Sequence, residues 1–289
     1  MTVKELPSTE SNTLVEDIKP FVDLLESSQT LVLSGAGIST ESGIPDYRGT
    51  QSVSNTQKKI YYREFLLQAK VRQRYWARSL FGWQNMSSSV PNSGHQALSQ
   101  LESDGFITGI LTQNVDGLHQ VAGSKNVLEL HGNLSFVKCL KCGVDETRVN
   151  LQRRLVKLNP HIQLDWVNIY PDGDAEVAED STDNFNVPGC LQCGGLLKPE
   201  VVFFGENVPK GKVDFALEML EQAGSLLVVG TSLTVFSGYR FVSRARKAGK
   251  PIGIINMGST RGDSDALIRL HAPLGKTLTE LALLCSNNR

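Results

Sequence analysis

Long apolar runs are missing from this 289-residue sequence, and none approaches the ~20 residues that a membrane span requires. An excess of one charge is missing too. The 29 basic and 30 acidic side chains leave a net charge of −1, so no global positive field exists to hold nucleic acid or an anionic membrane. A local basic patch stays open. The first ten residues, Met1 to Glu10, lack the apolar stretch of a secretory signal and the arginines of a mitochondrial transit segment. The expected compartment is the cytoplasm of a bacterium, or the mitochondrial matrix if a transit segment has been removed. Cysteine is scarce, five in all, which excludes a small disulfide scaffold, and a 40% hydrophobic content excludes a disordered chain. The length suits about two domains or one large one. The sequence does not fix an oligomeric state, and a monomer is the expectation.

Four of the five cysteines form two like-spaced pairs, Cys139-Leu140-Lys141-Cys142 and Cys190-Leu191-Gln192-Cys193. Two residues between thiols let both point from one tight turn at the same ion, and two such knuckles complete a tetrahedral site for one structural zinc. Cys285 reads as a buried small hydrophobe. A closed zinc site beside a free thiol points to a reducing compartment. Residues 143–189, between the knuckles, show no clear periodicity. Their acidic stretch from Pro171-Asp172-Gly173-Asp174 through Asp183 reads mostly as a solvated loop, although a loop this long is more often functional than idle.

Short continuous apolar runs at 30–33, 106–112, 127–130, 225–229 and 251–255 have the character of strands buried on both faces. Helical spacings at 12–29, 95–104, 212–223, 238–248 and 277–284 alternate with them. This alternation predicts an α/β fold built on a doubly wound, parallel, Rossmann-like sheet from residues 12–45, 95–134 and 202–289. Two insertions, 46–94 with a helical pattern and 135–201 with the cysteines, are expected to pack into a smaller lobe, a helical module plus a zinc ribbon, leaving a ligand cleft between the lobes. The first strand runs into Ser34-Gly35-Ala36-Gly37-Ile38-Ser39-Thr40, a strand–glycine–helix layout that aims backbone N–H groups at a phosphate. Only two of the three glycines of a dinucleotide fingerprint are present, because Thr40 stands where the third belongs.

Seven strings in this order, Gly35-Ala36-Gly37-Ile38-Ser39, Gly43-Ile44-Pro45-Asp46-Tyr47-Arg48, Thr112-Gln113-Asn114-Val115-Asp116, Leu130-His131-Gly132, the doubled Cys-x₂-Cys, Val201-Val202-Phe203-Phe204-Gly205-Glu206 and Gly230-Thr231-Ser232, resemble the sirtuin family. The long segment between knuckles and Arg72-Gln73-Arg74-Tyr75-Trp76-Ala77-Arg78 look most like the class II branch, which holds mitochondrial sirtuin four and its bacterial relatives.

The resemblance implies an enzyme that uses NAD to remove acyl groups from protein lysine, giving nicotinamide, free lysine and O-acyl-ADP-ribose. It implies that His131 is the general base and that Gln113, Asn114 and Asp116 surround the nicotinamide ribose and carboxamide, with Asn114 counted among the catalytic residues. Gly35, Ala36, Gly37, Ser39 and Thr40 would meet the diphosphate, and Asp46, Tyr47 and Arg48 match a loop that closes over NAD. Gly230, Thr231, Ser232, Asn256 and Gly258 would hold the adenosine end, with Leu274 a backbone contact. Val202, Phe203, Phe204, Gly205 and Glu206 match the segment that pairs with an acylated-lysine peptide, although Val201 to Phe204 also reads as a plain buried strand. His95, His119, His161 and His271 match no catalytic position. Tyr75 and Arg78, three apart on one helical face, resemble a pair that holds a distal carboxylate, which implies a succinyl- or glutaryl-type chain if both reach the pocket. Competing readings are a protein ADP-ribosyltransferase and a non-enzymatic module that binds NAD and zinc.

Overall fold

Runs such as Leu31-Val32-Leu33 and Leu226-Leu227-Val228-Val229 are apolar at every position, so both faces of their strands need cover. The structure, a computed structural model that describes residues 4–6, 11–47, 59–162, 170, 172–175, 182 and 184–288, meets that need with a parallel sheet between two helical layers. In chain order the strands among the described residues are β1 (Lys4–Leu6), β2 (Thr30–Ser34), β3 (Ile107–Thr112), β4 (Val127–Glu129), β5 (Gly132–Cys139), β6 (Asp145–Thr147), β7 (Leu197–Val201), β8 (Ser225–Val229), β9 (Ile252–Ile255) and β10 (Ile268–Leu270). The helices are α1 (Ser11–Ser27), α2 (Tyr62–Leu67), α3 (Ala69–Ser88), α4 (Ser93–Ser103), α5 (Leu118–Val121), α6 (Arg148–Leu158), α7 (Lys210–Gln222), α8 (Phe236–Lys247) and α9 (Leu274–Asn287).

Seven strands form one sheet in the order β1-β10-β9-β8-β2-β3-β4, every pair parallel. From β2 the chain winds one way to β3 and β4, then returns to β8 on the other side of β2. The strand order therefore reverses between β2 and β8, and in such sheets ligands bind beyond the carboxyl ends of the strands at that point. Alternate side chains enter opposite cores. Val32, Leu227 and Val229 pack with Phe21 of α1, Leu98 of α4 and Leu278 of α9. Leu31, Leu33, Leu226 and Val228 pack with Leu220 of α7 and Phe241 of α8. Cys285 is fully buried in the first of these cores.

The second sheet is antiparallel, β6-β5-β7, and packs with α3 and α6 around Phe65, Trp76, Leu151, Leu155 and Phe185. Here the structure departs from the sequence reading. The stretch without apparent periodicity contains α6, whose arginine-rich face obscures the buried stripe of Leu151 and Leu155. The Thr147 hydroxyl starts it by accepting the Asn150 N–H at 3.3 Å. The strand expected at Val201 to Phe204 ends at Val201, and Phe204 makes only an isolated bridge to Tyr61. The helix expected after Gly37 is a 3-10 turn, Ala36–Ser42, closed by Gly43.

Candidate active site

At the reversal point the loops after β2 and β8 touch backbone to backbone. Gly35 N–H donates to the Val229 carbonyl at 3.1 Å and Gly37 N–H to the Gly230 carbonyl at 2.8 Å. A Cβ on Gly37 would stand 2.9 Å from the Gly230 Cα, so the glycine is demanded by the opposing loop as well as by any ligand. Leu233, in the loop after β8, holds a left-handed φ of 56°, a conformation leucine rarely adopts. The 3-10 turn is also fastened from outside: Asn92 Nδ2 donates to the Ile38 carbonyl at 2.7 Å and to Ser42 Oγ at 2.9 Å.

Beyond β3, Asn114 Nδ2 donates to Ser39 Oγ at 3.0 Å, and Ser39 in turn donates to Asp116 Oδ2 at 2.7 Å. The other Asp116 oxygen accepts the Leu118 N–H at 2.9 Å. Burial raises the pKa of this carboxyl, and those hydrogen bonds pull it back. Gln113 Nε2 donates to Thr231 Oγ1 at 2.8 Å, joining the β3 and β8 loops. His131 follows β4. Its Nδ1 lies 2.9 Å from the Gln113 carbonyl, which can only accept, so Nδ1 carries the proton and Nε2 presents its lone pair. Ser237 Oγ, 2.8 Å from Nε2, is therefore a donor to it. Burial lowers the His131 pKa against the opposing effect of the Gln113 carbonyl, with smaller lowering by Lys212 and Arg240, so the ring is a neutral base near pH 7.

One cavity of about 900 Å³ runs along these loops and on to the second sheet. It is lined by Ala36, Gly37, Ser39, Asp46, Tyr47, Gln113, Asn114, Asp116 and His131, by Gly230, Thr231, Ser232, Asn256 and Gly258, and by Val202, Phe203, Phe204, Gly205, Glu206, Tyr75 and Arg78. Gly35, Thr40 and Leu274 do not line it. Gly35 packs on Thr231, the Thr40 hydroxyl donates to the Gly37 carbonyl at 3.0 Å, and Leu274 is buried in the core behind Gly230. Arg48 lies outside the described residues. Glu206 accepts from its own loop at the Phe203 N–H, 2.9 Å, and pairs with Lys198 at 3.0 Å, which fixes the Phe203–Glu206 turn.

Several side chains on this wall were not expected from the sequence. Ser237 and Arg240 reach it from α8, and Tyr170, Asp172 and Asp174 come from the acidic stretch read as solvated loop. Asp174 is instead buried and pairs with Arg78 at 2.9 Å, with both side chains 4% exposed. Arg78 thus lines the cavity already paired and sheltered from water. Tyr75 is enclosed by Phe65, Trp76 and Phe203, with ring centroids 5.0–5.5 Å apart. Burial and the Asp174 charge raise its phenol pKa well above 10, so it stays neutral.

Away from the cavity, Cys139 and Cys193 Sγ are 3.5 Å apart, Cys142 and Cys190 Sγ 3.7 Å, and all four lie within 4.8 Å of one another. Thiolates about 2.3 Å from one zinc sit about 3.8 Å from each other on a tetrahedron, so this donor set fits a structural Zn2+ with no position left for water. The knuckles are shaped for it: Lys141 and Cys142 N–H point at Cys139 Sγ (3.4 and 3.5 Å), and Gln192 N–H at Cys190 Sγ (3.4 Å). Among the described residues no helix is long and apolar enough to cross a membrane.

Residues 35–237 match the model of the Sir2 family. The "NAD-dependent protein deacetylase 1" of Streptomyces coelicolor is 49% identical over 266 residues, covering 92% of this chain and 89% of its own length. The human "NAD-dependent protein lipoamidase sirtuin-4, mitochondrial" is 46% identical over 267 residues, covering 91% and 84% respectively. Among solved structures, a Sir2 protein with p53 peptide and NAD+ superposes with a TM-score of 0.71 at 30% identity, covering 94% of this chain and 98% of that one. A Sir2 variant with deacetylated p53 peptide and 3′-O-acetyl ADP-ribose gives 0.74 at 29% identity, covering 93% and 98%.

Proposed function

This chain belongs to the Sir2 family, and from that premise we infer how its own residues carry out the NAD-dependent removal of acyl groups from protein lysine. The products are nicotinamide, deacylated lysine and O-acyl-ADP-ribose. The dinucleotide supplies an anomeric carbon that can accept the acyl oxygen as nicotinamide leaves. Its adenosine half is assigned to Gly230, Thr231, Ser232, Asn256 and Gly258, and its diphosphate to the turn from Ala36 to Ser39, where the two loops meet over the strand reversal. Asp46 and Tyr47, which line the same cavity, are assigned to cover it, with Leu274 set behind Gly230 as support.

Asn114 and Asp116 orient the reacting ribose and its carboxamide. The amide nitrogen of Asn114 is committed to Ser39, which leaves its oxygen as the end able to accept a hydrogen bond. His131 Nε2 takes the proton of a ribose hydroxyl as the general base. Its tautomer is set before substrate arrives by the Gln113 carbonyl, and the ribose hydroxyl takes over the place that Ser237 holds in the free protein. The acylated lysine enters beside Val202, Phe203, Phe204, Gly205 and Glu206, whose turn is held by Lys198.

A single observation carries this reading: one cavity joins the glycine turn at the strand reversal to an imidazole whose basic nitrogen faces into it. Incubation with NAD and an acetyl-lysine peptide is expected to give equal amounts of nicotinamide and O-acetyl-ADP-ribose. His131→Ala is expected to lower kcat by about 10²–10⁴. Nicotinamide released without peptide deacylation, or equal turnover by the variant, refutes the assignment.

A further inference from the structure

We propose that Asp174 is a specificity-determining residue, which holds the Arg78 guanidinium as an internal counter-ion and thereby turns the acyl pocket toward uncharged acyl chains. The proposal rests on the deacylase reading and deepens it. With the loops of the parallel sheet assigned to the dinucleotide, the acyl group is placed against the wall that includes Ile44, Ile60, Tyr75, Arg78 and Phe203. All of these are apolar or neutral except Arg78. A buried guanidinium alone there would demand an anion from the substrate. The chain already supplies one, 2.9 Å away and equally sheltered from water.

The Asp174 turn is docked and does not hang free. Ala175 N–H donates to the Arg78 carbonyl at 3.2 Å, Tyr170 N–H to the Asp174 carbonyl at 2.8 Å, and Gly173 N–H to the Tyr170 carbonyl at 3.0 Å. Gly82 of α3 lies so close to Gly173 that a Cβ there would fall 2.0 Å from its carbonyl oxygen. A ligand carboxylate therefore has to displace Asp174 or share Arg78 with it, and the second choice crowds its charge against two carboxyls, Asp174 and Asp172, whose ionisation burial already opposes. The titratable groups around Asp174 are Arg74, Arg78 and the neutral Tyr75 from α3, Arg148 from α6, and Asp172 from its own turn. A neutral chain packs on Tyr75 and Phe203 and leaves the ion pair intact.

The test compares kcat/KM for butyryl-, octanoyl-, succinyl- and glutaryl-lysine in one peptide sequence at about pH 9, where Asp174 is ionised, with acetyl-lysine as reference. The wild-type protein is expected to favour butyryl over succinyl by about tenfold or more. Asp174→Asn is expected to raise the succinyl-to-butyryl ratio by about tenfold or more, because the released guanidinium then takes the ligand carboxylate, and adding Arg78→Met is expected to cancel that gain. A wild-type titration reads the same contact if the variant does not fold. Burial pushes the Asp174 carboxyl up to about 8, so acidification from about pH 9 to about pH 6 protonates it while succinate stays ionised, and the ratio rises. A wild-type preference for succinyl, or a ratio unmoved by substitution and by acid, overturns the proposal alone. No turnover of any acyl peptide, acetyl included, overturns the deacylase reading and the proposal with it.

Discussion

Gln113 and Ser237 together decide what His131 can do between turnovers. The carbonyl fixes the proton on Nδ1, and the hydroxyl occupies the lone pair that the reaction needs. A donor to Nε2 favours the neutral ring, so it adds to the lowering that burial produces. Ser237→Ala is therefore expected to move the acid limb of kcat/KM upward, toward the ordinary imidazole value near 6.5, with less than about a tenfold change at pH 8. A pH–rate profile checks this, and an unmoved limb would show that the hydroxyl does not shift the base in the free enzyme. His131 itself was legible through Leu130-His131-Gly132. Ser237 was not, because a serine in the first turn of a helix is commonplace and nothing in the sequence ties it to a histidine 106 residues earlier. Asp174 was misread for the same reason. The same letters describe a solvated turn or a buried carboxylate, and the difference is Arg78, far back in the chain.

Helix α4 shows how an element serves the site without lining it. Asn92 caps it, its Oδ1 accepting the Gly94 and His95 N–H groups at 2.9 and 3.3 Å, while its Nδ2 ties down the turn after β2. One side chain thus links a helix start to the expected diphosphate contact. Asn92→Ala is expected to cost about 1 kcal/mol of stability and also to raise the KM for NAD. Thermal unfolding and NAD titration measure the two effects, and a normal KM would separate the turn from the cap. The buried strands and most large helices of the parallel sheet were legible because apolar runs and helical spacing are local signals. Strands β5 to β7 were not. Lys198, Pro199 and Glu200 dominate β7, and a register shift between Gly132 and Val137 interrupts the alternation of β5. Their pairing follows from the cysteine cluster, which brings distant segments together.

At the scale of the whole molecule, two buried histidines bind the parallel sheet to its helical cover. Ser34 Oγ, at the end of β2, lies 2.8 Å from His119 Nε2, and the His119 ring meets His95 of α4 edge-on at 5.0 Å. Burial pushes His95 down to about 4 and His119 to about 3, the latter also repelled by His95. The unfolded chain takes up these protons near pH 6.5 and the folded one does not, so stability is complete above that value and falls as the pH drops. Between about pH 6.5 and pH 5 the loss is expected to be on the order of 2 kcal/mol per histidine. A His119→Gln variant is expected to flatten the dependence of unfolding free energy on pH in that window, and an unchanged slope would count against it. The broad architecture was readable from the two interruptions of the strand–helix rhythm, whereas the docking of the segment between the knuckles onto α3 was not, since Gly82 and Gly173 each look like ordinary glycines. With backbone set directly against backbone, the loop is wall and mortar at once, and a chimera that borrows it from a cousin has to bring the matching stretch of α3 or forfeit thermal robustness. In this chain the two segments are therefore expected to tolerate exchange as a pair and not singly.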